Sequence, residues 1–294
     1  MAIPRKTIDE VKARLEFEPK IREIYVEGAY DRDFLQWVVG KLGLTDIRVY
    51  PISSVEVPAS LLATLRLTSG ERQRVQAMAS MFEDHVNLHG QILFFMDADL
   101  DYILERADYS VPLCLTSGTC TEMIFWRKSV LEKFFSMNLG SQQPAASAEN
   151  LMRFVEPIAI PIFLLRTVRE VLNKRWELID LEKAIEKGKS FSFQEYCEKV
   201  AHKNNDFEFI NKSLSNELEK IQPQADQLGI SKKMHGHDVM AIVSRKLCLD
   251  GFAQRFLKDP EELGRVLMSS ADWSAISDDD CIAMIGRKFI RQTN

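Results

Sequence analysis

Two mainly apolar stretches of the chain, REIYVEG and QILFFMDADLDYI, carry acidic residues at or near their ends. These residues are Glu27, Asp97, Asp99 and Asp101. Carboxylates that cluster in space repel one another unless a divalent cation lies between them. Hard oxygen ligands of this kind suit Mg²⁺ or Mn²⁺ better than zinc. The residue types therefore predict a site for a hard divalent cation, built at the ends of buried strands.

The elements that must position these acids alternate between strands and amphipathic helices. Strand patterns lie at residues 22–28, 47–53, 91–99 and 111–117, and helical patterns lie at residues 31–43, 70–90 and 120–137. This alternation is typical of parallel strands joined by crossover helices. The carboxyl ends of parallel strands share one edge of the sheet, where open α/β folds bind their ligands. If the first and third strands are neighbours, Glu27 and Asp97 will face each other there.

The pattern changes after NLGSQQPAASAEN, a polar stretch of small residues that is typical of a connection between domains. Downstream, apolar residues recur at helical spacing and strand candidates are almost absent. We therefore expect an α/β plus α architecture, with a parallel four-stranded sheet domain at 1–138 and a helical domain at 139–294. Pro157 and Pro161 are expected to split or kink the first helix of the second domain.

Composition narrows the class of protein. The 294 residues carry a formal net charge of −5, which disfavours a passive nucleic-acid binder but allows a metal-dependent enzyme, because bound cations cancel the charge of their ligands. The five cysteines form no C-x-x-C pair, so we expect reduced thiols rather than disulfides or a zinc cage. No apolar run approaches the ~20 residues of a membrane helix, and no signal-peptide core is evident, so we expect a cytoplasmic protein without a membrane partner.

Two segments resemble the Toprim domain that topoisomerases, bacterial primases and OLD-family nucleases share. The matching residues are Glu27 in YVEGAYD and Asp97 and Asp99 in MDADLD. The resemblance covers about residues 20–130. It implies a Toprim-like parallel sheet and a metal site at these acids.

Two further segments resemble Toprim-like proteins that have a helical C-terminal half. TSGTCTEMIFW is similar to the Glu-bearing segment after their sheet, which makes Glu122 a candidate metal carboxylate, and KKMHGHDVMAIV is similar to their GHD segment. This second likeness implies that residues 229–245 return to the active edge. Among such proteins the chain resembles the Toprim effectors of the PARIS anti-phage defence system, and more distantly OLD-family nucleases.

The resemblance implies a nuclease that an ABC-type ATPase partner holds inactive and releases when a phage protein is sensed. The released protein would form a homodimer and cut host RNA such as transfer RNA. The implied reaction is phosphodiester hydrolysis assisted by one or two Mg²⁺ or Mn²⁺ ions. Glu27 is then a metal ligand or general base, Asp97 and Asp99 are metal ligands, and Asp101 and Glu122 are weaker candidates for ligands.

Cationic and imidazole side chains complete the set of candidates. Lys232, Lys233, His235 and His237 are expected to contact the phosphate or to act as acids. The two histidines are alternatively metal ligands.

Alternatives of structure and of function stay open. Asp101 and Glu122 are also acids that would suit the start of a helix, and Asp238 would suit an N-cap. A non-catalytic Toprim-like module that docks an ATPase is the alternative to an enzyme, and an OLD-type DNA nuclease is the alternative to a ribonuclease.

Overall fold

The computed structural model describes residues 5–107 and 112–290. The strands are β1 (Lys6–Thr7), β2 (Arg22–Val26), β3 (Ile47–Pro51), β4 (Val55–Glu56), β5 (Ile92–Met96) and β6 (Leu113–Leu115). The α-helices are α1 (Ile8–Phe17), α2 (Ala29–Lys41), α3 (Ala59–Thr64), α4 (Glu71–Ser80), α5 (Lys128–Leu139), α6 (Pro144–Val171), α7 (Leu181–Ala184), α8 (Phe193–Asn204), α9 (Phe207–Lys212), α10 (Leu214–Gln227), α11 (Gly236–Leu249), α12 (Pro260–Ser270), α13 (Trp273–Ile276) and α14 (Asp280–Ile290).

The chain divides into two compact units, each made of more than one segment. Unit 1 comprises the described residues of Met1–Ala98, Ala107–Ser117 and Ser277–Asn294, and unit 2 comprises Asp99–Arg106 and Gly118–Ile276. The domain boundary expected between residues 138 and 139 lies in unit 2, at the end of α5. That boundary stays a prediction.

Unit 1 contains the predicted parallel sheet, which is confirmed. Four strands pair in the order β3-β2-β5-β6, and all three pairings are parallel. Every residue of β5 is buried, as expected for a strand that helices cover on both faces. Tyr25, Phe94 and Met96 pack with residues of α1 and α4 on one face, and Phe95 meets Phe34 of α2, with ring centroids 6.5 Å apart.

One charged side chain lies inside this apolar sheet. Glu23 of β2 is fully buried, and its carboxylate accepts hydrogen bonds from Arg14 of α1 and from the Tyr25 hydroxyl. The ion pair satisfies the buried charge and ties α1 to the sheet.

Two helices differ in extent from the sequence prediction. The helix expected over 70–90 ends at Ser80, because the following turns tighten to i→i−3 bonds such as Phe82 N–H to the Ala79 carbonyl and His85 N–H to the Phe82 carbonyl. The helix expected over 120–137 is a 3₁₀ helix at Thr121–Phe125 followed by α5.

Unit 2 is helical, and its described residues contain no β-strand. Its longest helix, α6, packs against α5, α10 and α11. The prolines do not split this helix, because α6 runs through Pro157 and Pro161 to Val171; the alternative, a kink, stays a prediction. Apolar residues beside the prolines, such as Ile158 and Ile162, are buried, so tertiary packing outweighs the lost backbone bonds.

None of the described helices is both long and apolar enough to cross a bilayer.

A half-buried amine in α14 yields a test of unit 1. Burial lowers the pKa of Lys288 to about 8, so the charged form of this side chain destabilises the folded state. Lys288→Met is expected to increase the free energy of unfolding at pH 7 by on the order of 2 kcal/mol. The gain should shrink between pH 8 and pH 10, because the folded protein then releases a proton that the unfolded chain still binds. Thermal unfolding of both proteins across this pH range measures the effect.

Arg287→Met is the matched control, since Arg287 is an exposed cation in the last turn of the same helix. It should bring no stabilisation. A similar gain from both variants, or a gain from Lys288→Met that does not depend on pH, would contradict this account.

Candidate functional site

The strand order of unit 1 creates a crevice at one place on the sheet edge. From β2 the chain crosses through α2 to β3 on one side, whereas β5 and β6 lie on the other side of β2. Open parallel sheets bind ligands outside the carboxyl ends of the strands at such a switch point. Here the two strands that flank the switch are β2 and β5, and Glu27 and Asp97 directly follow them.

Glu27 and Asp97 meet at this edge. The Asp97 backbone N–H donates to Glu27 Oε1 at 2.9 Å across 70 positions of sequence, and both residues are half-buried. Arg72 Nε, from α4, donates to the Asp97 carbonyl oxygen at 3.3 Å. The acid that closes the first predicted strand is therefore held beside the acid that closes the third.

The short connection between β2 and α2 restricts the position of Glu27. Only Glu27 and Gly28 separate β2 from α2, and the Gly28 N–H donates to Asp31 Oδ2 at 3.1 Å in a capping arrangement. The positive end of α2 thus begins beside Glu27, which favours an ionised carboxylate there.

In unit 2, Asp99 lies beside the segment that contains His235 and His237. Asp99 has a left-handed backbone with φ of 45°, and its N–H donates to the Thr119 carbonyl at 2.7 Å. Its Oδ1 lies 4.0 Å from His235 Nε2, and the rings of His235 and His237 are 5.4 Å apart. The structure therefore brings Asp99 and both histidines of the GHD segment into one group.

His235 is neutral at physiological pH. Burial lowers its pKa to about 4; Arg166 and His237 act in the same direction, and Asp238 opposes them. Within the described residues, its Nδ1 atom is buried without a hydrogen-bond partner. Because little of the ring is protonated near pH 7, burial disfavours the acid role expected of His235, and the low pKa also makes the ring a weak base. The roles of His235 as an acid or as a metal ligand stay predictions.

Gly118 and Gly236 allow the segment around Glu122 to pack directly against the segment that contains His235 and His237. A Cβ atom at Gly236 would come within 2.1 Å of Cys120 Sγ and 3.3 Å of Glu122 Oε2. A Cβ atom at Gly118 would come within 2.9 Å of the Ser231 carbonyl oxygen. Glu122 therefore lies next to the first residue of α11, where the helix dipole stabilises an acid.

Asp238 has a different role from the one considered in the sequence. The N-cap of α11 is His235, so an N-cap role for Asp238 is wrong. The buried Asp238 carboxylate instead accepts two hydrogen bonds from Arg166 of α6, at 2.6 and 2.7 Å. Burial alone would lower the pKa of Arg166, but the hydrogen bonds and charge of Asp238 raise it above its usual value.

The remaining candidates lie in turns of unit 2. Asp101 is buried in a run of turns rather than at the start of a helix, and its carbonyl accepts from the Arg106 N–H at 2.8 Å. Lys232 places its amine 4.1 Å from the Tyr102 ring centroid, a cation–π contact. Lys233 is half-buried and follows the 3₁₀ turn at Ile230–Lys232. The phosphate contacts expected of both lysines stay predictions.

Over residues 5–107 and 112–290, no group of three or more His, Cys, Asp or Glu side chains is arranged to hold a metal ion. The metal roles of Glu27, Asp97, Asp99, Asp101 and Glu122 stay predictions. The chain matches no protein-family model and no curated protein.

The Arg166–Asp238 pair supplies a stability test. Asp238→Leu or Arg166→Met is expected to lower the free energy of unfolding by about 3 kcal/mol, because each variant leaves one buried charge without its partner. The double variant Arg166→Met with Asp238→Leu should lose much less. Denaturant unfolding of the two single variants and the double variant gives the coupling energy.

Lys246, in the last turn of α11, and Asp250, the C-cap of that helix, form a more exposed pair. Their alanine variants should change stability by no more than about 0.5 kcal/mol. A coupling energy between Arg166 and Asp238 as small as that of this exposed pair would contradict the expected loss of stability.

Proposed function

We propose that the chain is a metal-dependent nuclease that hydrolyses phosphodiester bonds in nucleic acid. The observation that carries the proposal is the meeting of Glu27 and Asp97 at the switch point of a parallel sheet. Two acids at a ligand-binding edge suit a hard cation, and a cation is what lets a phosphate approach a chain with a net charge of −5. The resemblance of YVEGAYD and MDADLD to the Toprim domain supports the same reaction.

The donor set of Glu27 and Asp97 fits Mg²⁺ or Mn²⁺. Mg²⁺ usually keeps several water ligands and takes only one or two protein carboxylates together with substrate phosphates. When bound, such an ion polarises the phosphate and lowers the pKa of an attacking water. The missing ligands are therefore assigned to water and substrate, and a larger protein cage is unnecessary.

The protein's own contribution is pre-organisation of these acids. The Asp97 N–H holds one oxygen of Glu27, and Arg72 holds the Asp97 carbonyl. Glu27 and Asp97 directly follow rigid strands, so their backbone positions are fixed before substrate binds. This lowers the cost of ordering the site.

The substrate class and regulation proposed here rest on the Toprim resemblance. RNA such as host transfer RNA is the favoured substrate, and an ABC-type ATPase is the proposed partner that restrains the nuclease in a cytoplasmic anti-phage system. The active form is proposed to be a homodimer.

Glu27→Gln is the sharpest test, because glutamine can still accept the hydrogen bond from the Asp97 N–H while losing the charge. Purified protein with Mg²⁺ or Mn²⁺ is incubated with total cellular RNA and with plasmid DNA. Cleavage by the variant should fall by roughly 100-fold or more, and EDTA should abolish cleavage by the wild type. Mn²⁺ binding, measured by electron paramagnetic resonance, should weaken in parallel while the thermal unfolding midpoint stays unchanged.

Glu16→Gln is the matched control, since Glu16 is an exposed acid on α1. It should cleave and bind Mn²⁺ like the wild type. RNA cut in preference to DNA would favour the ribonuclease, and the reverse would favour the OLD-type alternative. A Glu27→Gln protein that binds Mn²⁺ and cleaves nucleic acid as the wild type does would refute the proposal.

A further inference from the structure

Thr119 uses all of its polar groups to join the two segments that carry Asp99 and His235. Its carbonyl oxygen accepts from the Asp99 N–H at 2.7 Å, and its own N–H donates to the Ser231 carbonyl at 2.9 Å. Its hydroxyl donates to the carbonyl of Met234, the residue before His235, at 2.6 Å. One side chain and its peptide groups therefore fix both segments.

The surroundings of Thr119 leave little freedom for these bonds to rearrange. Thr119 and Met234 are both fully buried, so water cannot replace a lost hydrogen bond without a change in packing. The close approaches of Gly118 to Ser231 and of Gly236 to Cys120 hold the Thr119 segment against the segment that carries His235. The left-handed turn at Asp99 is unfavourable for a residue with a Cβ atom, and the bond from its N–H to Thr119 supports that turn.

We propose that Thr119 is a positioning residue that sets the distance between the Asp99 carboxylate and the His235 imidazole. Those groups, 4.0 Å apart, are too distant for a direct hydrogen bond. The hydrogen bond from the Thr119 hydroxyl to the Met234 carbonyl and the hydrogen bond from the Asp99 N–H to the Thr119 carbonyl join the two segments that carry these groups. The role in catalysis rests on the proposed nuclease function, whereas the role in geometry does not.

The test compares Thr119→Val, which keeps the shape and removes the hydroxyl, with Thr119→Ser, which keeps the hydroxyl. Thr167→Val is the matched control, because Thr167 is also fully buried and its hydroxyl donates to a backbone carbonyl, that of Phe163, at 3.0 Å. Heteronuclear NMR of the ring signals of the five histidines, assigned with His235→Gln, reports on the geometry without any substrate. Cleavage kinetics report on function.

Thr119→Val should shift the His235 signal, and it should lower kcat by roughly 10-fold to 100-fold with KM changed by less than about threefold. Thr119→Ser should restore both properties, and Thr167→Val should alter neither. A His235 signal that stays unchanged in a folded Thr119→Val protein would overturn the proposal. If the wild type cleaves no nucleic acid while the signal still shifts, the nuclease function fails and the positioning role stands.

Discussion

The parallel pairing of β2 with β5 is the constraint on which the candidate site of unit 1 depends. The register places Tyr25 opposite Phe94, so that the strands end together and Glu27 emerges beside Asp97. Side chains alternate between the two faces of a strand, and a slip of one residue would exchange the faces of the whole apolar set. Because β5 is apolar and buried on both faces, a slip would be opposed by the need to repack large rings such as Phe94 and Phe95, and this packing thereby sets the positions of the acids.

Two ion pairs, one in each unit, also fix how neighbouring elements pack. In unit 1, Arg14 and Glu23 tie α1 to the central strand β2, and in unit 2, Arg166 and Asp238 tie α6 to the first turn of α11. A buried pair costs so much to break that it selects one arrangement of its elements over others, even where its net contribution to stability is small. The second pair therefore holds the helix that begins beside His235.

Sequence patterns predict the features of the fold that depend mainly on residues close together in the chain. Apolar runs predict the strands, and the acids at their ends predict the meeting of Glu27 with Asp97, because parallel strands leave few other places for them. The continuous helix through Pro157 could not be predicted, since burial of its flanks outweighs a local penalty. Arg166 and Thr119 could not be predicted either, because their partners lie 72 and 115 positions away and ordinary helical or loop patterns surround them.

The two aspartates of MDAD look equivalent in sequence but differ in backbone and in partners. Asp97 leaves a strand, and its N–H donates to a side chain, Glu27 Oε1. Asp99 lies in a left-handed turn, and its N–H donates to a backbone carbonyl, that of Thr119. Ala98 between them is fully buried, with its N–H bound to the Thr116 hydroxyl oxygen at 3.0 Å. Substitutions at Asp97 therefore act on a strand end, whereas those at Asp99 also act on a turn whose conformation few residue types adopt easily.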